Sequence, residues 1–215
     1  KDLIEKPNHE ALEKGFVNLD KHIENMLKFG VPVVVAINRF PSDTDEEMKQ
    51  VKVHCDKVGA MAAFSSVFME GGKGGVELAK AVIETIEKKP SKFKLLYDEK
   101  LPIKEKIKII ATEIYGAKDV AYVGTAEADM KSIQAAGNDK LPICMAKTQL
   151  SITDVPDLKG APKGWTLTVR EVRLSAGAGF IIPITGEMMT IPGLPSNPAA
   201  ERIDIDDNGY ITGLN

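Results

Sequence analysis

Apolar residues recur at helical spacing along much of the chain. Over residues 8–28 they fall at every third or fourth position and end before Gly30, a residue type that commonly stops a helix. Residues 44–58 repeat the pattern behind Thr44, whose hydroxyl can cap a helix. Residues 76–88, 102–115 and 125–136 have the same periodicity. The pattern predicts an amphipathic helix in each of these segments.

Strands are predicted from continuous apolar runs. Residues 31–41, VPVVVAINRFP, contain β-branched residues without polar alternation, which is typical of a strand covered by helices on both faces. Residues 60–68 form a second run, and residues 119–123 and 141–146 are shorter candidates. Because strands alternate with helices, the chain is predicted to be an α/β protein built from parallel βαβ units.

The pattern changes near the C-terminal third of the chain. From Trp165 onward, apolar and polar residues alternate among many Gly and Pro, which predicts a smaller α/β to β-rich region. A soft boundary divides residues 1–150, an α/β region with a ligand cleft at its strand ends, from residues 151–215, which are β-rich and Gly/Pro-rich. The strand at 31–41 needs neighbours on both sides, and the chain lacks an initiator Met, so it is expected to be a fragment.

Composition removes several function classes. Charged residues make up 27% of the chain and the net charge is -3 with both signs interspersed, which argues against nucleic acid as a partner. No apolar segment approaches the roughly 20 residues that cross a bilayer, so no membrane partner is expected. Cys55 and Cys144 show no CxxC or Cys/His spacing, which favours buried thiols in a reduced, cytoplasmic protein.

Neither a metal site nor a catalytic residue is predicted from spacing. The histidines stand singly on helical segments, without triad or ligand spacing. Residues 204–209 match the first half of an EF-hand loop, but Asn215 replaces the Glu of position twelve. A hairpin with an Asn208-Gly209 turn is expected there instead.

Candidate binding residues lie where the first two predicted strands end, because ligands of open α/β sheets bind at that edge. Phe40 and Phe68 end the two strands, where a flat heterocycle could stack between them, although Phe residues more often belong to a core. Asn38 invites comparison with the NKxD element of GTPases. That comparison fits poorly, because Arg39 replaces Lys and the acid, Asp43, comes two residues late.

A glycine cluster separates the second strand from the next helix. In GGKGG, from Gly71 through Gly72 and Lys73 to Gly75, bare backbone N–H groups and the helix N-terminus could hold a phosphate. It is not a Walker A sequence, because the GxxxxGK[ST] spacing is absent. A flexible turn without a ligand is an equal alternative.

Several segments carry a resemblance to a known family: HIENMLKFGVPVVVAINRFPSDTDEE, VFMEGGKGGVELA, PICMAKTQ and VREVRLSAGAGFIIPITGEMMTIPGLPSNPAAERIDIDDNGYITGL. Together, and in the family's order, they resemble the C-terminal part of formate–tetrahydrofolate ligase, also called formyltetrahydrofolate synthetase, along essentially all 215 residues. Members of that family are larger, and their phosphate-binding loop lies in the N-terminal part. The resemblance implies a P-loop NTPase-like sheet portion and agrees with a fragment that lacks the N-terminal nucleotide-binding part.

The resemblance also implies an activity. It is the activation of formate to formyl phosphate with ATP and Mg²⁺, followed by attack of the N10 amine of tetrahydrofolate on the acyl carbon. The implied partners are tetrahydrofolate, formate, ATP and the N-terminal part of the same protein, in a homotetramer that responds to monovalent cations. The chain alone is expected to be inactive. A non-catalytic folate-binding or assembly module of the same fold is the alternative.

Folate-binding residues follow from matched motifs. The family holds a pterin ring between two aromatic side chains, of which one matches Phe40 in NRFP. The other is commonly Trp and matches Phe68 in VFMEGG. Because Phe presents a smaller face than Trp, stacking here is expected to be weaker by about 1 kcal/mol. Pro41 and Phe64 match the same pocket wall.

A second set matches positions near the joint nucleotide and folate cleft. Its members are Asn38, Arg39, Gly71, Gly72 and Lys73. Arg39 could instead brace the strand end through a carboxylate partner, which is the commoner role for a lone Arg.

Overall fold

The structure is a computed structural model that describes residues 6–186 and 197–213. These residues form a mixed α/β protein with parallel strand pairs, as the sequence predicts. The P-loop-like character implied by the family resemblance stays a prediction. Part of the predicted C-terminal β region, residues 187–196, lies outside the described residues, as does Asn215 of the EF-hand comparison.

The first sheet comes from the first half of the chain. Its elements follow in the order α1 (His9–Lys28), β1 (Val34–Asn38), α2 (Asp45–Lys57), β2 (Met61–Ser65), α3 (Val67–Glu70) and α4 (Val76–Lys88). β1 and β2 pair in parallel, with Val34 opposite Met61 and Asn38 opposite Ser65. Both α2 and α4 contact the two strands. The parallel βαβ unit predicted from the alternating pattern is therefore confirmed.

Local sequence explains where the first two helices begin. The Asn8 side chain accepts a hydrogen bond of 2.9 Å from the Ala11 N–H at the start of α1. Thr44 and Glu47 form a reciprocal capping box at the start of α2. Between the two helices, His54 Nε2 lies 2.6 Å from Asp20 Oδ1, and the imidazole stacks on Phe16. This histidine is therefore a packing residue.

β1 is less covered than its apolar run predicts. Ile37 is buried, but Val34 and Val35 are only half-buried and Ala36 is exposed. Within the described residues β1 pairs with β2 alone, so its other edge has no strand beside it. Because Ala36 and Asn38 share one face and are both exposed, the prediction that helices cover both faces of this strand is wrong for that face.

The second sheet uses the later part of the chain. Its elements follow in the order α5 (Ile103–Ile109), a π-helical turn (Ile110–Ile114), β3 (Asp119–Tyr122), α6 (Ala126–Ala135), β4 (Thr166–Ser175) and β5 (Phe180–Thr185). β3 and β4 are parallel, and β4 and β5 are antiparallel. β3 lies before the predicted boundary at residues 150–165 and β4 lies after it, so their pairing joins the two sides. One hydrophobic core, with members from Ile103 to Ile181, contains residues of both strands. The division at residues 150 and 151 stays a prediction.

Residues 141–146 do not form the regular strand that was predicted. They meet β5 through two isolated bridges, Ile143 to Ile181 and Ala146 to Ile184. The bridging residues on this segment are three apart, so they do not keep the two-residue period of a ladder. Cys144 lies in this segment and is exposed, whereas Cys55 is buried, so the expectation of two buried thiols holds for Cys55 alone.

A small hairpin follows in residues 197–213. β6 (Asp204–Ile205) and β7 (Ile211–Thr212) are antiparallel, and Gly209 has a φ of 84° in the turn between them. The Asp206 carboxylate accepts hydrogen bonds from two backbone N–H groups of this turn. The predicted hairpin is confirmed, and Asp206 stabilises the turn. None of the helices within residues 6–186 and 197–213 combines the length and apolar character needed to cross a bilayer.

Candidate functional site

Two phenylalanine rings meet at the carboxyl edge of the first sheet. Phe40 follows β1 and Phe68 follows β2, and their ring centroids are 5.6 Å apart with an interplanar angle of 50°. Both rings face solvent, with 47% of Phe40 and 77% of Phe68 exposed. Such exposure of paired aromatic side chains is unusual for core residues and is common in binding sites.

Phe68 does not end a strand, as the sequence had predicted. β2 stops at Ser65, and Phe68 lies on the short helix α3. The Ser66 carbonyl accepts hydrogen bonds from the Met69 and Glu70 N–H groups, which turns the chain into this helix. α3 therefore aims the ring back toward Phe40 across the edge of the sheet.

Phe40 lies in a turn held by an aspartate. Its N–H donates to Asp43 Oδ2 at 2.8 Å, and its carbonyl accepts from the Asp43 N–H at 3.0 Å. One residue earlier, the Arg39 N–H donates to the Ser65 carbonyl at 2.8 Å, which continues the β1 to β2 pairing into the turn. Pro41 is the exposed residue that follows the ring in this turn.

Phe64 and Arg39 line a cavity whose lining includes neither Phe40 nor Phe68. This space of about 420 Å³ lies along α2, and the Lys52 ammonium is 5.1 Å from the Phe64 ring centroid. Arg39 Nη2 is 2.6 Å from Asp45 Oδ1 at the start of α2. The guanidinium therefore has the carboxylate partner that was considered as its alternative role. Among the described residues, the ring and cation–π contacts of Phe40 and Phe68 include neither Phe64 nor Arg39.

The glycine cluster forms a 3₁₀ turn, Gly71–Gly75, directly before α4. Gly74 is needed for packing, because an added Cβ would lie 2.5 Å from the Ser66 carbonyl carbon. At Gly71 and Gly72, by contrast, an added Cβ would meet nothing within 4 Å. The backbone there is open to an approaching group, and Lys73 beside it is exposed. Gly71 to Lys73 therefore present open backbone beside a lysine, and anion binding there stays a prediction.

Asn38 and the glycine turn lie with the two rings at the carboxyl edge of the first sheet. Asn38 ends β1 opposite Ser65, and the Ser66 N–H donates to the Gly74 carbonyl at 3.1 Å. The turn of Gly71–Gly75 thus folds back onto the end of β2, near the exposed Asn38. The geometry matches the place where ligands bind in open α/β sheets.

Comparison with known families adds a decisive observation. The family model described as Formate–tetrahydrofolate ligase matches residues 1–215, which is the whole chain. The chain belongs to the formate–tetrahydrofolate ligase family. Ligases of this family join formate to tetrahydrofolate and depend on ATP. The resemblance noted in the sequence is therefore confirmed at the level of the family.

Two lysines with internal hydrogen bonds, Lys106 (fully buried) and Lys147 (half-buried), were missed in the sequence. Lys106 is fully buried, and its ammonium donates to the carbonyls of Glu99, Asp139 and Leu141. Desolvation lowers the pKa of this lysine, against the attraction of Asp139. A signal was present, because Lys106 falls on the apolar face of α5 beside Ile103 and Ile107, at spacings of three and one.

Lys147, in the segment PICMAKTQ, has a similar environment. Its ammonium donates to the carbonyls of Thr148, Ser151 and Thr153 and lies 5.4 Å from the Tyr115 ring centroid. Desolvation lowers its pKa, against the attraction of Asp154. Because all three N–H donors have carbonyl acceptors, Lys147 serves the fold of this loop. Sequence spacing gave no signal for it.

Proposed function

We propose that the chain is the C-terminal portion of an ATP-dependent formate–tetrahydrofolate ligase and supplies the wall on which the folate ring stacks. The observation that carries this proposal is the exposed pair of Phe40 and Phe68 at the carboxyl edge of the first sheet. The membership of the family supports it. Pro41 would border the ring site from the same turn, whereas Phe64 would act from behind, by packing against α2.

The proposed reaction has two steps. A formate oxygen attacks the terminal phosphorus of ATP, ADP leaves, and formyl phosphate forms. The N10 amine of tetrahydrofolate then attacks the acyl carbon, phosphate leaves, and the amine loses a proton. Aromatic rings on the pterin would hold N10 in place and exclude water from the labile mixed anhydride.

The glycine turn is the proposed contact for phosphate. Lys73 and the backbone N–H groups at Gly71 and Gly72 would attract the phosphate oxygens, with Asn38 at the same edge. Arg39 would contribute through its ion pair with Asp45 and not by direct contact. The described residues contain no group of three or more His, Cys, Asp or Glu side chains that could hold a metal, so the proposal assigns none of them to Mg²⁺ or a monovalent cation.

The remaining phosphate-handling groups are proposed to come from an N-terminal part. The edge of β1 that has no strand beside it in the described residues supports this proposal, because an apolar strand edge favours pairing with another strand. α4 also exposes Val82, Ile83 and Ile86. A homotetramer in the cytoplasm completes the proposal on the strength of the family resemblance.

Calorimetric titration with tetrahydrofolate tests the stacking role. Phe40→Ala and Phe68→Ala should each weaken binding about 2- to 13-fold, because one ring on a flat partner contributes about 0.5–1.5 kcal/mol. Phe93→Ala is the matched control, since Phe93 is 63% exposed and lies in the connector before α5. Equal affinity in all three variants and the original chain would contradict the stacking role.

A turnover assay tests whether the chain needs an N-terminal part for activity. The chain should form no formyltetrahydrofolate from formate, ATP and tetrahydrofolate by itself, and should do so when the N-terminal part of a family member is added. Turnover by the chain alone would refute the proposed need for that part. Binding of tetrahydrofolate without turnover in the mixture would instead favour a non-catalytic folate-binding module.

A further inference from the structure

The two rings at the sheet edge differ in how firmly they are held, and this difference has a functional consequence. We infer that they form an asymmetric clamp, in which Asp43 is the positioning residue that holds Phe40, and Phe68 swings away from Phe40 to admit a flat ligand. The inference rests on the proposed function, because it concerns the ring site for folate. It adds a positioning residue and a direction of movement to that site.

The ring pair is too close to hold a ligand between its faces. A flat ring stacked on both sides needs about 7 Å between the two flanking planes, which is twice the contact distance of carbon atoms. The centroids of Phe40 and Phe68 are 5.6 Å apart and the rings are tilted by 50°, so they contact each other. One ring must move before a pterin can be sandwiched.

Phe40 is the ring that is held. Both its N–H and its carbonyl bond to Asp43, at 2.8 and 3.0 Å. The flanking residue Arg39 is tied to β2 through the Ser65 carbonyl and to α2 through Asp45. A movement of the Phe40 backbone would break several of these bonds at once. Of the side chains, the Asp43 carboxylate accepts the hydrogen bond from the Phe40 N–H, so it is the side chain to change in a test.

Phe68 is less restrained than Phe40. It is 77% exposed, compared with 47% for Phe40, and it lies on a helix of four residues. The segment 67–73 is a loop closed at its base by the hydrogen bond from the Ser66 N–H to the Gly74 carbonyl. Gly71, with a φ of 59°, and Gly72 leave open space where side chains would otherwise pack. Phe68 can therefore turn while the base of the loop stays in place.

Nuclear Overhauser effects between the two rings test the closed contact and the role of Asp43. In the complete chain without added tetrahydrofolate, cross-peaks should link the ring protons of Phe40 and Phe68. Asp43→Ala should reduce their intensity at least about twofold, because the Phe40 N–H loses its acceptor, and Asp43→Asn should keep them, because an amide oxygen still accepts. Asp206→Ala is the matched control, since Asp206 also accepts backbone N–H groups in a turn, but in the C-terminal hairpin.

These spectra decide the positioning role whether or not folate binds. Absent cross-peaks in the original chain, or full intensity in a folded Asp43→Ala variant, would overturn it. If Asp43→Ala does not fold, loss of the cross-peaks in the folded Asp43→Asn variant overturns the role, and their retention supports the assignment of the acceptor oxygen.

Added tetrahydrofolate tests the movement. The ring cross-peaks should disappear, and the amide signal of Phe68 should shift more than that of Phe40. Asp43→Ala should weaken tetrahydrofolate binding about fivefold, with Asp43→Asn within about twofold of the original chain. Failure of tetrahydrofolate to bind at all refutes the proposed function and leaves the ring spectra to decide on Asp43. Binding with the cross-peaks intact overturns the clamp while the proposed function stands.

Discussion

Gly74 and Gly72 look equivalent in the sequence GGKGG, but the structure gives them different roles. A Cβ added at Gly74 would lie 2.5 Å from the carbonyl carbon of Ser66 and 2.6 Å from its oxygen. These are backbone atoms at the end of β2, so they cannot turn aside as a flexible side chain can. At Gly72 the same atom would meet nothing within 4 Å. We therefore predict that Gly74→Ala destabilises the chain and that Gly72→Ala does not.

The size of the effect follows from two losses. Forcing a methyl group into a packed contact costs about 1–3 kcal/mol. The shift also weakens the hydrogen bond from the Ser66 N–H to the Gly74 carbonyl, which contributes about 0.5–1.5 kcal/mol. Gly74→Ala should thus lower the free energy of unfolding by about 2–4 kcal/mol. Gly72→Ala should be neutral or stabilise by up to about 1 kcal/mol, since Gly72 is not among the glycines with positive φ.

Urea denaturation followed by circular dichroism measures both variants. Gly74→Ala should lower the transition midpoint by about 1 M, and Gly72→Ala should leave it unchanged or raise it. Equal midpoints for the two variants would show that the close approach of Gly74 to Ser66 is not important for stability. Because Gly72→Ala keeps the fold under this prediction, any loss of ATP binding in that variant would point to the open backbone at the turn.

Two further predictions concern a buried charge and the folate ring site. Lys106→Met should lower the free energy of unfolding by about 3 kcal/mol, because it leaves three backbone carbonyls without their donor. The exposed control Lys108→Met, on the same helix, should change it by less than about 1 kcal/mol. Burial lowers the pKa of Lys106, so the unfolded chain binds this proton more tightly, and the stability of the original chain relative to Lys106→Met should rise as the pH increases toward 10.5. A flat or falling difference in urea melts across that range would contradict this assignment. Phe68→Trp should tighten tetrahydrofolate binding about fivefold, as measured by calorimetry, because the larger face adds about 1 kcal/mol of stacking. Unchanged or weaker binding would refute the account of this departure from the family's usual Trp.

Helix positions and the parallel pairing of the first two strands could be predicted from the sequence, because they depend on local signals. The cap at Thr44 and the stop at Gly30 act within a few residues and are visible in the sequence. The end of β2 was misplaced, because Val67 and Phe68 continue the apolar run after Ser65 and Ser66 and were taken as part of the strand. What ends the strand is the Ser66 carbonyl, which accepts two N–H groups of that helix. The sequence therefore placed Phe68 on the wrong element but at the correct edge of the sheet.

The site shows the same division between local and distant causes. Residue motifs identified the family and named Phe40 and Phe68 as partners. The motifs did not show that Phe64 and Arg39 lie along α2. Arg39 is held there by its ion pair with Asp45, and Phe64 lines the same cavity beside that helix.

By itself, the sequence determined the α/β class, the approximate limits of helices such as α1, α2 and α4, and the family, since periodicity, caps and motifs are properties of neighbouring residues. Only the tertiary structure decided that the two rings contact each other at 5.6 Å, that Gly74 approaches Ser66 and that Lys106 is enclosed by carbonyls. Each of these depends on segments that are distant in the chain or on a turn whose exact path no local pattern encodes. Their energies arise from contact distances, which are defined only after the elements have packed.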